Sequence, residues 1–70
     1  MQQRAVLLTR REREILQLIS NGYQNPDIAV TLHISKRTVS AHVANILKKL
    51  GASTRAEAVA IAYRKNEIPS

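Results

Sequence analysis

The chain has 70 residues, 44% of them hydrophobic and none of them cysteine, and it carries eleven basic against five acidic side chains for a net charge of +6. That length makes one small domain, which buries only about 60% of its unfolded surface, and the lack of cysteine excludes disulfides and thiolate metal sites. The basic excess attracts polyanions, nucleic acid or anionic lipid, whereas no apolar run approaches the roughly 18 residues that cross a membrane.

Residues 1–7 show no periodic pattern and are expected to form a flexible arm. Val6-Leu7-Leu8 is too short for the apolar core of a secretion signal, so a cytoplasmic protein is expected. A first helix follows Thr9. Its hydroxyl can cap the free amides, and Glu12, three residues on, can reach back to the Thr9 amide. Ile15, Leu16 and Ile19 then fall at helical spacing, and Asn21-Gly22 closes the helix.

Asn25-Pro26 opens a short second helix ending at Leu32, with Asn25 as cap and Pro26 at the first helical position. Ile28, Ala29 and Leu32 face inward. His33-Ile34-Ser35 is a tight link, and Ser35 caps a third helix from Lys36 to about Leu50. Val39, Val43, Ile46 and Leu50 form its buried stripe, and Gly51 ends it. Thr54 and Glu57 offer a second capping box for a last helix that reaches Arg64 or Lys65. Residues 66–70 are expected to be a tail, with domain bounds of 8–65. The expected fold is all-α: a compact four-helix bundle containing a helix-turn-helix, with no sheet.

Two helices joined by three or four residues make the helix-turn-helix unit. Ala29 supplies the small inner side chain that a close helix crossing needs, Ile34 fills the gap at the turn, and Val39 packs back from the second helix of the pair. Glycine is common four residues after that alanine. His33 stands there instead, and histidine is among the residues that tolerate positive φ. Spacing alone also fits an ordinary pair of packed helices.

The outward face of the third helix is more informative. With Val39 at the centre of the buried stripe, Arg37, Ala41, Ala44 and Lys48 lie nearly opposite, and Ser40 and Asn45 lie on the shoulders. Lys36, Arg37, Lys48, Lys49 and two histidines are the only ionisable groups between Asp27 and Arg55. An acid-free arc with small polar residues at its middle and cations at its ends fits a major groove. Ser40, Ala41, Ala44 and Asn45 are the expected base contacts. Ser35, Lys36, Arg37, Thr38, Lys48 and Lys49 are the expected phosphate contacts, the Ser35 cap adding backbone amides at a helix start.

The motifs Leu8-Thr9-x-Arg11-Glu12-x-Glu14-Ile15-Leu16, Gly22, Asn25, Ile28-Ala29, Leu32-x-Ile34-Ser35, Thr38-Val39, His42, Ile46, Lys49-Leu50 and Arg55 to Val59 together resemble the LuxR (GerE) family of bacterial DNA-binding domains. The resemblance covers roughly Leu8 to Ala62. It implies a transcription regulator whose third helix enters the major groove of double-stranded DNA. It also implies a homodimer through the last helix on a pseudo-palindromic site. Family members, response-regulator output domains among them, often sit behind a receiver or small-molecule-binding domain. Members often carry base-reading lysines at positions matching Ser40 and Ala44, and this chain has neither.

The last helix supports a dimer by its own pattern. Ala58, Ile61 and Ala62 form one face toward the core, and Ala56, Val59, Ala60 and Tyr63 form a second, nearly opposite face. A surface helix of a small monomer rarely needs two apolar faces, so the second is the expected, weak dimer interface. Alanine is also simply a good helix former. Tyr23 is expected to pack over the edge of the core.

An alternative reading is a protein-interaction module that meets an acidic partner or RNA polymerase. An enzyme is not expected: the sequence holds no cysteine nucleophile, no glycine-rich phosphate loop and no residues to spare for a pocket. No cofactor is expected, and no metal, because His33 and His42 have no acid at ligand spacing.

Overall fold

The computed structural model describes residues 8–69. Among them the chain forms four α-helices and no strand: α1 (Arg10–Ser20), α2 (Asn25–Leu32), α3 (Lys36–Leu50) and α4 (Arg55–Arg64). The expected arm, 1–7, lies outside the described residues, as does Ser70.

The helix starts follow the local chemistry, with two differences. At α1 the capping box is reciprocal: the Glu12 amide donates to Thr9 Oγ1 at 3.0 Å, and the Thr9 amide donates to Glu12 Oε1 at 2.8 Å. At α4 only half of the expected box forms. The Glu57 amide donates to Thr54 Oγ1 at 3.0 Å, but the Glu57 carboxylate takes the Ser53 amide instead, at 2.7 Å.

The cap of α2 is Gln24, one residue earlier than expected. Gln24 has extended backbone angles, its carbonyl accepts the first helical bond from Ile28, and its amide donates to Asp27 Oδ2 at 3.0 Å. Asp27, the third residue of the helix, thus makes the reach-back half of a capping box, taking the cap residue's own amide. The Asn25 side chain is released for tertiary contacts.

The core gathers one stripe from each helix. Ile15 and Leu16 of α1, Ile28 of α2, Val39 and Ile46 of α3, and Ala58 and Ala62 of α4 are almost completely buried. α3 packs against all three other helices, so the helix that carries the basic residues is also the one held on most sides. His33 closes α2 in the left-handed conformation, at φ 59°, the role glycine takes at lower steric cost. Ile34, half-buried beside it, returns its amide to the Ala29 carbonyl at 3.0 Å.

Within the segment expected to be a tail, residues 66–68 turn back onto the core. Asn66 turns the chain at φ 58°, the Glu67 amide bonds the Ala62 carbonyl at 2.8 Å, and Ile68 is only 4% exposed. Leu8 is buried as well, and Arg13 joins it to Glu67. Its guanidinium donates to the Leu8 carbonyl at 2.8 Å and lies 3.7 Å from the Glu67 carboxylate.

Candidate nucleic-acid interface

The N-terminus of α3 is built by Ser35. Its Oγ accepts the Thr38 amide at 3.0 Å and lies 2.9 Å from Thr38 Oγ1. Lys36 and Arg37 follow on the first turn, and all four side chains are exposed. Helix N-termini and cations act together on anions, because the free amides and the dipole both favour negative charge. At the far end of α3, Lys48 is exposed.

Between these ends, Ser40, Ala41, Ala44 and Asn45 are all exposed, while Val39, Val43, Ile46 and Leu50 point into the core. The four residues expected at base edges therefore share a single outward arc, and α3 carries no acid along its length. His42 is half-buried on the flank.

Ser40 has a neighbour that helical spacing does not reveal. The Asn25 amide Nδ2 donates to Ser40 Oγ at 3.4 Å, and Asn25 Oδ1 accepts from Arg55 Nη1 at 2.6 Å. Arg55 Nη2 also donates to the Tyr23 carbonyl, at 3.1 Å. The start of α4 is thereby tied to the loop before α2 and, through Asn25, to α3. The tyrosine ring itself is exposed rather than packed over the core edge. These contacts span 15 to 32 residues of chain, so no local spacing announces them.

Lys49 is placed differently from Lys48. Its ammonium donates to Glu12 Oε1 at 2.8 Å, and the Glu12 side chain is nearly enclosed. Burial alone would raise the Glu12 pKa. The Lys49 hydrogen bond and charge, with the Thr9 hydrogen bonds, outweigh it and hold the carboxyl below its ordinary value. Lys49, expected at a phosphate, thus serves as the counter-ion of a buried carboxylate.

On α4, Ala58 and Ala62 enter the core as expected, and Ile61 is half-buried. Ala56 and Ala60 are exposed. Val59 and Tyr63 are half-buried against the core of their own chain. The expected dimer face is therefore narrower than its four residues suggest: two alanines open to solvent, flanked by two side chains already partly used.

Among the described residues no group of three or more His, Cys, Asp or Glu could hold a metal ion, and no helix is long and apolar enough to cross a membrane.

Residues 6–62 match the family of bacterial regulatory proteins called luxR, or GerE. The response regulator protein VraR of Staphylococcus saprophyticus subsp. saprophyticus is 51% identical over 71 aligned residues, which cover 97% of this chain and 34% of the relative. The chain thus spans about a third of the length of the curated relatives it matches. The solved structure of the transcription factor GerE superposes with a TM-score of 0.85 at 42% identity, covering 94% of this chain and 97% of that one. The VqmA–ligand–DNA complex of Vibrio cholera superposes with a TM-score of 0.81 at 28% identity, covering 96% of this chain and 29% of that one.

Proposed function

Because the chain belongs to the luxR family of bacterial regulatory proteins, a family of DNA-binding transcription regulators and not of enzymes, we propose that it recognises a specific double-stranded DNA sequence by inserting α3 into the major groove. The observation that carries this reading is the outward arc of α3. Ser40, Ala41, Ala44 and Asn45 are exposed at its middle, Ser35, Lys36, Arg37, Thr38 and Lys48 are exposed at its ends, and no acid interrupts it. Small side chains let a helix approach base edges, and the flanking cations and amides meet the phosphates. Asn45 offers a donor and an acceptor to a base, and Ala41 and Ala44 suit thymine methyls.

Two copies bind one pseudo-palindromic site, meeting through Ala56 and Ala60 of α4 with Val59 and Tyr63 at the margin. The open patch is small, so the dimer is weak in the absence of DNA. Such a regulator works in the bacterial cytoplasm, at the nucleoid.

A second reading, contact with a partner protein such as RNA polymerase, is favoured by Val30. This side chain is 75% exposed on the outer face of α2, and an apolar group there contributes nothing to binding phosphate. The two readings are compatible.

Salt separates them. Phosphate contacts release counterions, so DNA affinity falls linearly with salt on a double-logarithmic plot, with a slope of about −0.9 per phosphate neutralised. A slope of about −3 or steeper per bound chain is expected from Lys36, Arg37, Lys48 and the α3 amides. A slope near zero would contradict the proposal.

A further inference from the structure

Ser40 lies on the shoulder of α3, and its hydroxyl is held by another side chain. The Asn25 amide Nδ2 donates to Ser40 Oγ at 3.4 Å. Which end of that amide faces the serine is decided on the far side. Arg55 Nη1 donates to Asn25 Oδ1 at 2.6 Å, and a guanidinium offers no acceptor. Asn25 must therefore turn its oxygen toward Arg55 and its NH2 group toward Ser40. Arg55 is anchored in turn, because Nη2 donates to the Tyr23 carbonyl at 3.1 Å.

A serine hydroxyl is by nature ambiguous. It has one hydrogen to give and lone pairs to accept with, and it pairs with base donors and acceptors alike. We propose that the Arg55–Asn25 relay removes this ambiguity and makes Ser40 a hydrogen-bond donor toward DNA, with Asn25 as its positioning residue. Oγ accepts from Asn25 and presents its own hydrogen outward. Among the described residues no protein acceptor takes that hydrogen. Ser40 then favours bases with a major-groove acceptor, which are the purines through N7, guanine also through O6, and thymine through O4. It discriminates against cytosine, whose major-groove polar group is the N4 donor. This inference rests on the proposed placement of α3 in the major groove. The Asn25–Ser40 bond, at 3.4 Å, is longer than the roughly 2.7–3.2 Å of an ordinary N–H···O bond, so the selectivity is modest, about threefold to tenfold at one base position.

The test measures the affinity of the wild-type chain, Ser40→Ala and Asn25→Asp for a series of duplexes in which each position of the preferred site carries each base in turn. In the wild type, cytosine is disfavoured at one position, and Ser40→Ala abolishes that preference and no other. Asn25→Asp keeps an oxygen for Arg55, so the relay stays anchored and the fold is retained. Its carboxylate accepts the Ser40 hydrogen, however, which leaves Oγ as an acceptor. Preference at the same position then reverses toward cytosine, while the added negative charge weakens binding to every sequence equally. A merely structural role for Asn25 would produce the uniform weakening without the reversal, and that result would overturn the proposal. Unchanged base preferences in Ser40→Ala, with discrimination intact elsewhere in the site, would overturn it and leave the reading of α3 standing. A wild type that discriminates at no position would overturn both.

Discussion

The Lys49 ammonium lies 2.8 Å from Oε1 of Glu12, joining the last turn of α3 to the first turn of α1 across 37 residues of chain. The same carboxylate oxygen accepts the Thr9 amide that opens α1. One side chain thus caps α1 and fixes the position of α3 relative to it.

Glu12→Ala should destabilise the domain by about 1–2 kcal/mol, from the lost cap and the lost pairing together, the latter discounted because Lys49 remains partly exposed. Urea unfolding checks this through the midpoint at constant slope. An unchanged midpoint would show that the pairing is not held in solution.

The same carboxylate sets a pH dependence. Its pKa is lower in the folded chain than its ordinary 4.5, so the unfolded chain binds the proton more readily. The stabilisation is complete above the ordinary value and is lost as pH falls through the lower, folded-state one. Glu12→Gln should be less stable than the wild type at neutral pH and should close that gap below about pH 4.5. Melting curves across this range test it; a constant gap would exclude Glu12 as a source of acid sensitivity.

The two neighbouring lysines at the end of α3 should part company. Lys48→Ala should leave stability unchanged, weaken binding to all sequences alike and reduce the salt slope by about 1. Lys49→Ala should lower the unfolding midpoint, because it strands the Glu12 charge. Equal effects from both on stability and on salt slope would contradict the division of labour.

Much of this was legible in the sequence, for a physical reason. Caps, buried stripes and the acid-free face of α3 are written at spacings of three and four residues, so Thr9 with Glu12, Val39 with Val43, and Ala41 with Ala44 could be placed from helical geometry alone. What escaped is carried by pairs remote in sequence. Nothing near Lys49 points to Glu12, and nothing near Asn25 points to Arg55. Asn25 also fits the pattern of an N-cap so well that its tertiary use was hidden, until Gln24 and Asp27 proved to start the helix without it. Ile68 offered a faint signal: one isoleucine in a polar terminal stretch, just past the last helix. The family resemblance supplied what neither kind of spacing holds, namely that the polyanion is duplex DNA.

His33→Gly should stabilise the domain by about 0.5–1 kcal/mol. His33 sits at φ 59°, where a side chain is sterically penalised and glycine is not, although glycine gives back part of the gain through the unfolded chain. A lowered unfolding midpoint would show that the imidazole makes a compensating contact.

Ile68→Ala should cost about 2–4 kcal/mol, as for other buried aliphatic truncations. A loss below about 0.5 kcal/mol, the range of surface changes, would mean that the terminal segment does not close the core.

Whether two copies of this chain read DNA sequence through α3 is decided by selecting bound duplexes from a random library at moderate salt. Enrichment of an inverted repeat with half-sites about one helical turn apart is expected, and an altered half-site when the selection is repeated with Asn45→Ala. Recovery of all duplexes equally, or a half-site that Asn45→Ala leaves unchanged, would contradict that reading.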